Sequence, residues 1–589
     1  MAVGSRFGSP WTWIGAAVAL ALGTPTLGWA VRPPASKLLP DKTVFYLSVS
    51  DARDMARRFQ NTALGRMSQD PQLQPLLKQL YGSAADFIGR FKEHLGLSLP
   101  ELLSIPQGEI TVALVAPEEG PPVGVLLLDT GSQVGIARTL LQRGSDILRS
   151  AGATRSEENV SGTIMSIFDP PDGPDIRIAW FEKEGTIVAG SNPDVVRQIL
   201  GAWDGRAKDA LAASPKFSQV MASCRGMKGE QPQLFWFADP VALFRAIGQQ
   251  NVGAQLALMM VLRLGIDGFQ GVGGSWALDC GSLDEVVHAH LLLDSPRAGV
   301  LELIALESGD NTPEPWVPAD VADYTTFHWR LETTYKSLSK LIDSFQGDGA
   351  FANEMDRRFS KPLGVDLIKE ILPALDGRIT FVTWMEKPVT RTSRTFLLAL
   401  RLKDPEVLSK AVDTVLKKTN LPFQRKGIGG KEYYQLGEGR SRPGGDMEFG
   451  PCVGVLDNYL VFTTRPGLYQ KAVASLDTPD ESLAKDMDFK LVASRISRRA
   501  GSAKPALVMF RRPEEGYRYL YTLVTGEDSR NGLRRAAERN GFMRTLNSAL
   551  DANPLPPFSV LERYLAPEGA FIVDDATGLH YATFTLRRK

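Results

Sequence analysis

The sequence predicts an α+β fold of two tandem homologous domains, each a mainly antiparallel sheet packed with helices. Three observations carry that reading. The chain of 589 residues is long enough for several cores. It says nearly the same thing twice, once from Leu39 and again from Val317. Its strands come in runs separated by helices that follow hairpins, whereas a doubly wound parallel sheet would alternate strand and helix strictly.

The echo holds in register. Gly108 and Ile110 in Ile105–Thr111 face Gly377 and Ile379 in Ala374–Thr380, and Leu95-Gly96 answers Leu363-Gly364. Further on, an offset of 273 pairs Ser191-Asn192-Pro193 with Thr464-Arg465-Pro466, Pro232 with Pro505, and Pro240 with Pro513. Near the two ends His288 faces His580, each in an apolar, strand-like run.

In chain order, Val44–Val49 and Tyr324–Leu331 read as opening strands, rich in aromatic and β-branched residues. Leu73, Leu76, Leu77, Leu80 and Tyr81, then Phe87 and Phe91, recur at helical spacing and predict one apolar face. The strands Glu109–Ala116 and Val123–Asp129 match Arg378–Trp384 and Thr395–Leu402. Helices over Gln133–Ser150 and Pro405–Thr419 follow, then short hairpin strands ending at Gly185–Gly190 and Asn458–Thr463. The next helix opens on a polar residue and proline in both copies, Asn192-Pro193 and Arg465-Pro466. Proline in the first turn forfeits no hydrogen bond, so these prolines mark helix starts. At Asp239-Pro240 the carboxylate is expected to cap its helix and is not read as catalytic.

Residues 1–30 read as an export signal. Arg6 precedes an apolar run from Trp11 to Leu22, and Gly28-Trp29-Ala30 supplies small residues one and three positions before a cut after Ala30. A second reading stays open, in which residues 11–30 remain as a membrane tether. No cysteine follows the run to carry a lipid. Residues 31–38, opening Val31-Arg32-Pro33-Pro34, read as a Pro-rich spacer, 39–306 as the first repeat, 307–319 as a linker rich in Gly and Pro, and 320–589 as the second repeat.

Composition excludes more than it assigns. The balance is 67 basic against 67 acidic residues, and the repeats differ only mildly, with Val31–Leu306 at −5 and the remainder at +4. Neither figure makes a nucleic-acid surface, which needs a concentrated basic face. Basic pairs such as Arg498-Arg499, Arg511-Arg512 and Arg534-Arg535 read as solvated faces. Three cysteines, Cys224, Cys280 and Cys452, leave room for one bridge, Cys224 to Cys280, and no disulfide scaffold.

The sequence lacks a Gly-x-Ser-x-Gly elbow, a phosphate loop, a His-Glu-x-x-His pair and a calcium loop. Ser337-x-x-Lys340 has the spacing of a lysine-activated nucleophile without its companion motifs. His288 and His290 share a strand face and form a metal candidate with no third ligand at a convincing spacing. The Gly437–Gly445 expansion, carrying Arg440 and Arg442, reads as a hairpin tip with some capacity for an anion. Leu256, Leu258, Met259, Met260 and Leu262 form a run without a polar face, expected to be buried or to meet a lipid-like ligand or partner.

Leu39–Asp51, Thr62–Arg66 and Leu97–Leu103 resemble a bacterial family of exported envelope proteins defined only as a domain of unknown function. The resemblance spans most of the chain after residue 30 and implies bacterial origin and an envelope location, with no catalytic residue to carry over. The second repeat departs from it at Phe327-His328-Trp329-Arg330. Taken together, the sequence predicts an exported, non-enzymatic binding or structural module without cofactor. The alternatives are a carrier or sensor of a hydrophobic ligand, and a hydrolase whose site has no known signature.

Overall fold

The computed structural model describes residues 32–79, 99–171, 177–248, 253, 259–260, 263–420, 422–437 and 450–588. The chain divides into two compact units, unit 1 of residues 1–261, 269–293 and 545–555, and unit 2 of residues 262–268, 294–544 and 556–589. Each is α+β, and all the strand pairings below are antiparallel.

Unit 1 contains β1 (Thr43–Val49), β2 (Ile110–Val115), β3 (Val123–Asp129), β4 (Thr154–Val160), β5 (Thr163–Asp169), β6 (Ile178–Lys183), β7 (Thr186–Gly190), β8 (Leu234–Ala238), β9 (Phe269–Cys280) and β10 (Leu283–Leu293). They pair in the order β4-β5-β6-β7-β3-β2-β1-β8-β9-β10. Its main helices are α1 (Ala52–Asn61), α2 (Val134–Ser150), α3 (Pro193–Gly201), α4 (Pro215–Ser223) and α5 (Pro240–Gly248). One sheet face packs under α3 and α4, where Tyr46, Leu127 and Val188 meet Val196, Ile199 and Phe217. The Phe217 ring stands edge-on to Tyr46 at 5.4 Å and to Phe237 at 5.5 Å.

Unit 2 contains β11 (Asp323–Trp329), β12 (Leu375–Met385), β13 (Arg394–Leu402), β14 (Phe423–Ile428), β15 (Lys431–Leu436), β16 (Cys452–Leu456), β17 (Tyr459–Thr463), β18 (Leu507–Arg511), β19 (Glu568–Asp575) and β20 (Gly578–Leu586). Their order is β14-β15-β16-β17-β13-β12-β11-β18-β19-β20, which is the order of unit 1 with every label raised by ten. The helices α6 (Leu331–Gln346), α7 (Pro405–Thr419), α8 (Pro466–Asp477), α9 (Met487–Ala500) and α10 (Pro513–Thr525) fall in the same places between strands. The ring contacts recur too, with Phe489 edge-on to Tyr324 at 6.1 Å and to Phe510 at 5.6 Å.

The prolines mark helix starts, as their position in the first turn requires. Asn192 accepts from the amides of Asp194 and Val195 ahead of α3, and Asp239 accepts from Ala242 at 2.9 Å ahead of α5. Arg465 and Arg512 hold the matching places in unit 2 without a side-chain cap. Arg512 is turned to another task, donating to the carbonyls of Ala319 and Val321 and pairing with Asp486 at 2.8 Å. Of the Arg511-Arg512 pair, Arg512 is therefore not part of a solvated face, whereas Arg511 is exposed and bonds Asp323 at 2.9 Å. The first strand of unit 2 stops at Trp329, short of the expected Leu331, because α6 begins there.

Two stretches expected to lie outside the domains are folded into them. Arg32–Leu38, the expected spacer, buries the Arg32 side chain and runs into a helical turn whose Ala35 and Leu38 are buried. Within the expected linker 307–319, Glu314, Trp316 and Val317 are buried, and Trp316 meets Tyr459 edge-on at 5.4 Å. Proline and glycine mark irregular backbone, and irregular backbone is buried when its polar groups find partners.

Candidate functional site

Each unit has a buried charge cluster where β2 or β12 begins. In unit 1 the strand side supplies the acid. Glu109 lies 2.9 Å from Arg32 and accepts from Ser48 Oγ at 2.9 Å and from the Ala35 amide through both oxygens. Arg32 also reaches Asp129 at 2.9 Å and Thr186 at 3.1 Å. In unit 2 the strand supplies the base. Arg378, aligned with Glu109, lies 3.1 Å from Glu314 and donates to Thr326 and to the Tyr324 hydroxyl. Thr380 donates to Glu314 at 2.5 Å, and Thr326 and Thr380 share a bond of 3.0 Å.

The two clusters are the same construction with the charges exchanged. Burial holds the Tyr46 and Tyr324 hydroxyls in their neutral form by pushing both pKa values up. Ser48, Thr111, Thr326 and Thr380 are at most 1% exposed, and their hydroxyls bond within the clusters. These clusters pin the first strands and their leading segments in place.

The opposite face of the unit 2 sheet is different. Register places Phe381 beside Leu398, Leu398 beside Phe462, and Thr383 beside Phe396. Phe381 stacks on Phe327 at 6.2 Å between centroids. Yet Phe381 is 47%, Phe396 45% and Phe462 39% exposed. Nearby, α7 covers Leu402, Leu460 and Val453 on this side, and that cover stops short of the three rings. At the rim the Arg394 guanidinium lies 4.7 Å from the centre of the Phe396 ring.

A half-covered antiparallel sheet ordinarily turns polar residues to water. Leaving three phenylalanines half exposed forgoes about 3 kcal/mol of burial. Unit 1 has a milder form of the same row, Trp236, Leu47, Val112 and Leu126, in which Leu126 is 38% exposed. There α1 covers one end, through Ala52 and Met55 against Val49, Ile110 and Leu278. Chemically, the unit 2 face can take an apolar body, and Arg394 can take an anionic or polar end.

The residues singled out by sequence lie elsewhere. His288 and His290 do share the inner side of β10, both buried, but His288 Nε2 faces Glu230 at 3.0 Å. Among the described residues no three His, Cys, Asp or Glu side chains gather as a metal site. Met259 and Met260 are 62% and 60% exposed, which goes against burial and leaves contact with a ligand or partner as the other expectation, while Leu256, Leu258 and Leu262 lie outside the described residues. So do residues 1–30, Leu80, Tyr81, Phe87, Phe91, Leu95-Gly96 and most of the Gly437–Gly445 expansion. Ser337 donates to Glu302 at 2.7 Å and Lys340 is exposed, so the Ser-x-x-Lys spacing builds no nucleophile. Cys224 and Cys280 are thiols with no disulfide between them, and burial pushes the Cys224 thiol up to about 12.

Sequence reasoning missed the open face, although a signal was present. Phe396-Leu397-Leu398-Ala399-Leu400 is apolar at every position, the pattern of a strand buried on both sides. Among the described residues no helix is long and apolar enough to cross a membrane. No protein-family model matches this chain, and no curated protein or solved structure does either.

Proposed function

We propose that the chain is an exported, non-enzymatic binding module of the bacterial envelope, made of two homologous copies of one α+β unit. In this reading the uncovered face around Phe381, Phe396 and Phe462 holds an apolar, lipid-like ligand. The observation that carries it is the half exposure of three phenylalanines on one sheet face, rimmed by Arg394. A contiguous apolar patch of that kind marks a binding surface. Support for duplication comes from the shared strand order and from the offset of 273. Support for export comes from the pattern of residues 1–30 and from the resemblance of Leu39–Asp51 to an exported family.

The test is native mass spectrometry with lipid extraction, on protein purified from the soluble and membrane fractions of its own host. The wild type is expected to carry an apolar adduct, and the triple variant Phe381→Ser, Phe396→Ser, Phe462→Ser to lose about tenfold or more of that occupancy. A bare wild-type protein in both fractions, or an adduct retained by the triple variant, would sink the reading. The intact mass also reports whether the chain starts at Val31.

A further inference from the structure

We propose that α10 and the helix after it seat unit 2 on an anionic bilayer surface. Along α10, Tyr517, Leu520 and Val524 are 48%, 53% and 43% exposed. Their spacing of three and four puts them on one face of the helix. Single exposed apolar residues are ordinary, whereas an aromatic and two aliphatic residues in one stripe make an interfacial anchor when basic residues lie beside them.

Those basic residues are supplied by α11 (Glu527–Arg539) and by the start of α12 (Gly541–Ala552). Between Gly526 and Arg544 the chain carries five arginines against three carboxylates. Arg534, Arg535 and Arg539 are exposed, while Arg544 turns its guanidinium to the carbonyls of Ala537 and Glu538. Guanidinium groups bond phosphate oxygens in pairs, and the surface of an anionic leaflet attracts such a cluster over about a Debye length of 8–10 Å. The charge selects the occupant, since an apolar stripe alone would fit many partners.

The stripe is held firmly beside the candidate ligand face. Tyr519 Oη donates to the Arg391 carbonyl at 3.0 Å and Lys387 pairs with Glu515 at 3.2 Å, which fastens α10 to the β12–β13 hairpin. That same hairpin carries Phe381, Arg394 and Phe396. Unit 1 keeps an exposed apolar residue at the matching place. Ile247 stands seven positions after the proline that opens α5, as Leu520 does after the proline that opens α10, and both are 53% exposed. A bilayer seat at α10 would present the neighbouring sheet face to the source of an apolar ligand.

The experiment is hydrogen exchange by mass spectrometry on the full chain with vesicles of phosphatidylglycerol or of phosphatidylcholine. A local readout is needed because residues 11–30 alone can attach the chain to either vesicle. Residues 513–544 are expected to slow by about fivefold or more with phosphatidylglycerol only, and the protection to fade in about 0.5 M salt. The variant Tyr517→Ser, Leu520→Ser, Val524→Ser should lose the protection, and Arg534→Gln, Arg535→Gln, Arg539→Gln should lose its dependence on lipid charge. Equal protection by both vesicles, no protection by either, or protection that follows protein concentration without vesicles would overturn the proposal, the last by assigning the stripe to a second copy. The outcome is separable from that of the ligand reading, which is measured by adduct mass and the three phenylalanines.

Discussion

At the scale of residues, the paired clusters show how one backbone site accepts opposite charges. Position 109 is acidic and position 378 basic, and in each unit the segment leading into the first strand brings the counter-charge, Arg32 or Glu314. Removing one member strands a buried charge, so Glu109→Gln or Arg378→Met should each cost about 3–5 kcal/mol in chemical denaturation. Exchanging both partners in unit 1, Arg32→Glu with Glu109→Arg, should recover only part of the loss of Glu109→Arg alone. The Ala35 amide donates to the Glu109 carboxylate and has no acceptor in an arginine. Glu514 offers a test with pH. Burial in the first turn of α10 pushes its carboxyl above the usual range. The folded state therefore favours the protonated form, a contribution present at low pH and lost as pH rises through the raised value. Glu514→Gln is expected to raise Tm by about 2 °C at pH 8, with the gap closing on acidification; a gap that widens on acidification would refute the assignment.

At the scale of elements, strands and helix starts were legible because each is written in a short stretch. Val123–Asp129 and Pro405–Thr419 fold over the boundaries their patterns predict. The aligned glycines show where legibility stops. Gly108 and Gly377 look equivalent in sequence, but Gly377 has φ of +89° and a Cβ there would lie 2.4 Å from the Trp329 carbonyl oxygen. At Gly108 the nearest atom is the Asp129 side chain, 2.9 Å away. Side chains yield and backbone does not, so Gly377→Ala should lower stability by about 2–4 kcal/mol and Gly108→Ala by about 1. Comparable thermal shifts for the two would contradict this. The open face was hidden for a similar reason. An apolar residue on a strand states that a face avoids water, and α7 stopping short of Phe381 is a matter of where another element packs.

At the scale of the whole molecule, the sequence by itself determined the α+β class, the antiparallel runs and the register of the internal echo as far as Pro240 and Pro513; beyond them the expected match of His288 with His580 fails, because strand register sets His288 at the place of Ala582 and Val286 at that of His580. Those features rest on periodicity and punctuation, which act over a few residues and survive translation along the chain even where the offset shifts, from 269 at Gly108 and Gly377 to 273 at Pro193 and Pro466. Tertiary structure alone decided which apolar face stays open, which way each buried ion pair points, and that Arg32–Leu38 and Glu314–Val317 belong inside their units. Burial is a property of what lies across a contact. Arg32 and Thr186 are 154 positions apart and Glu314 and Arg378 are 64, so no local pattern announces either pairing, and only the folded sheet brings them within reach.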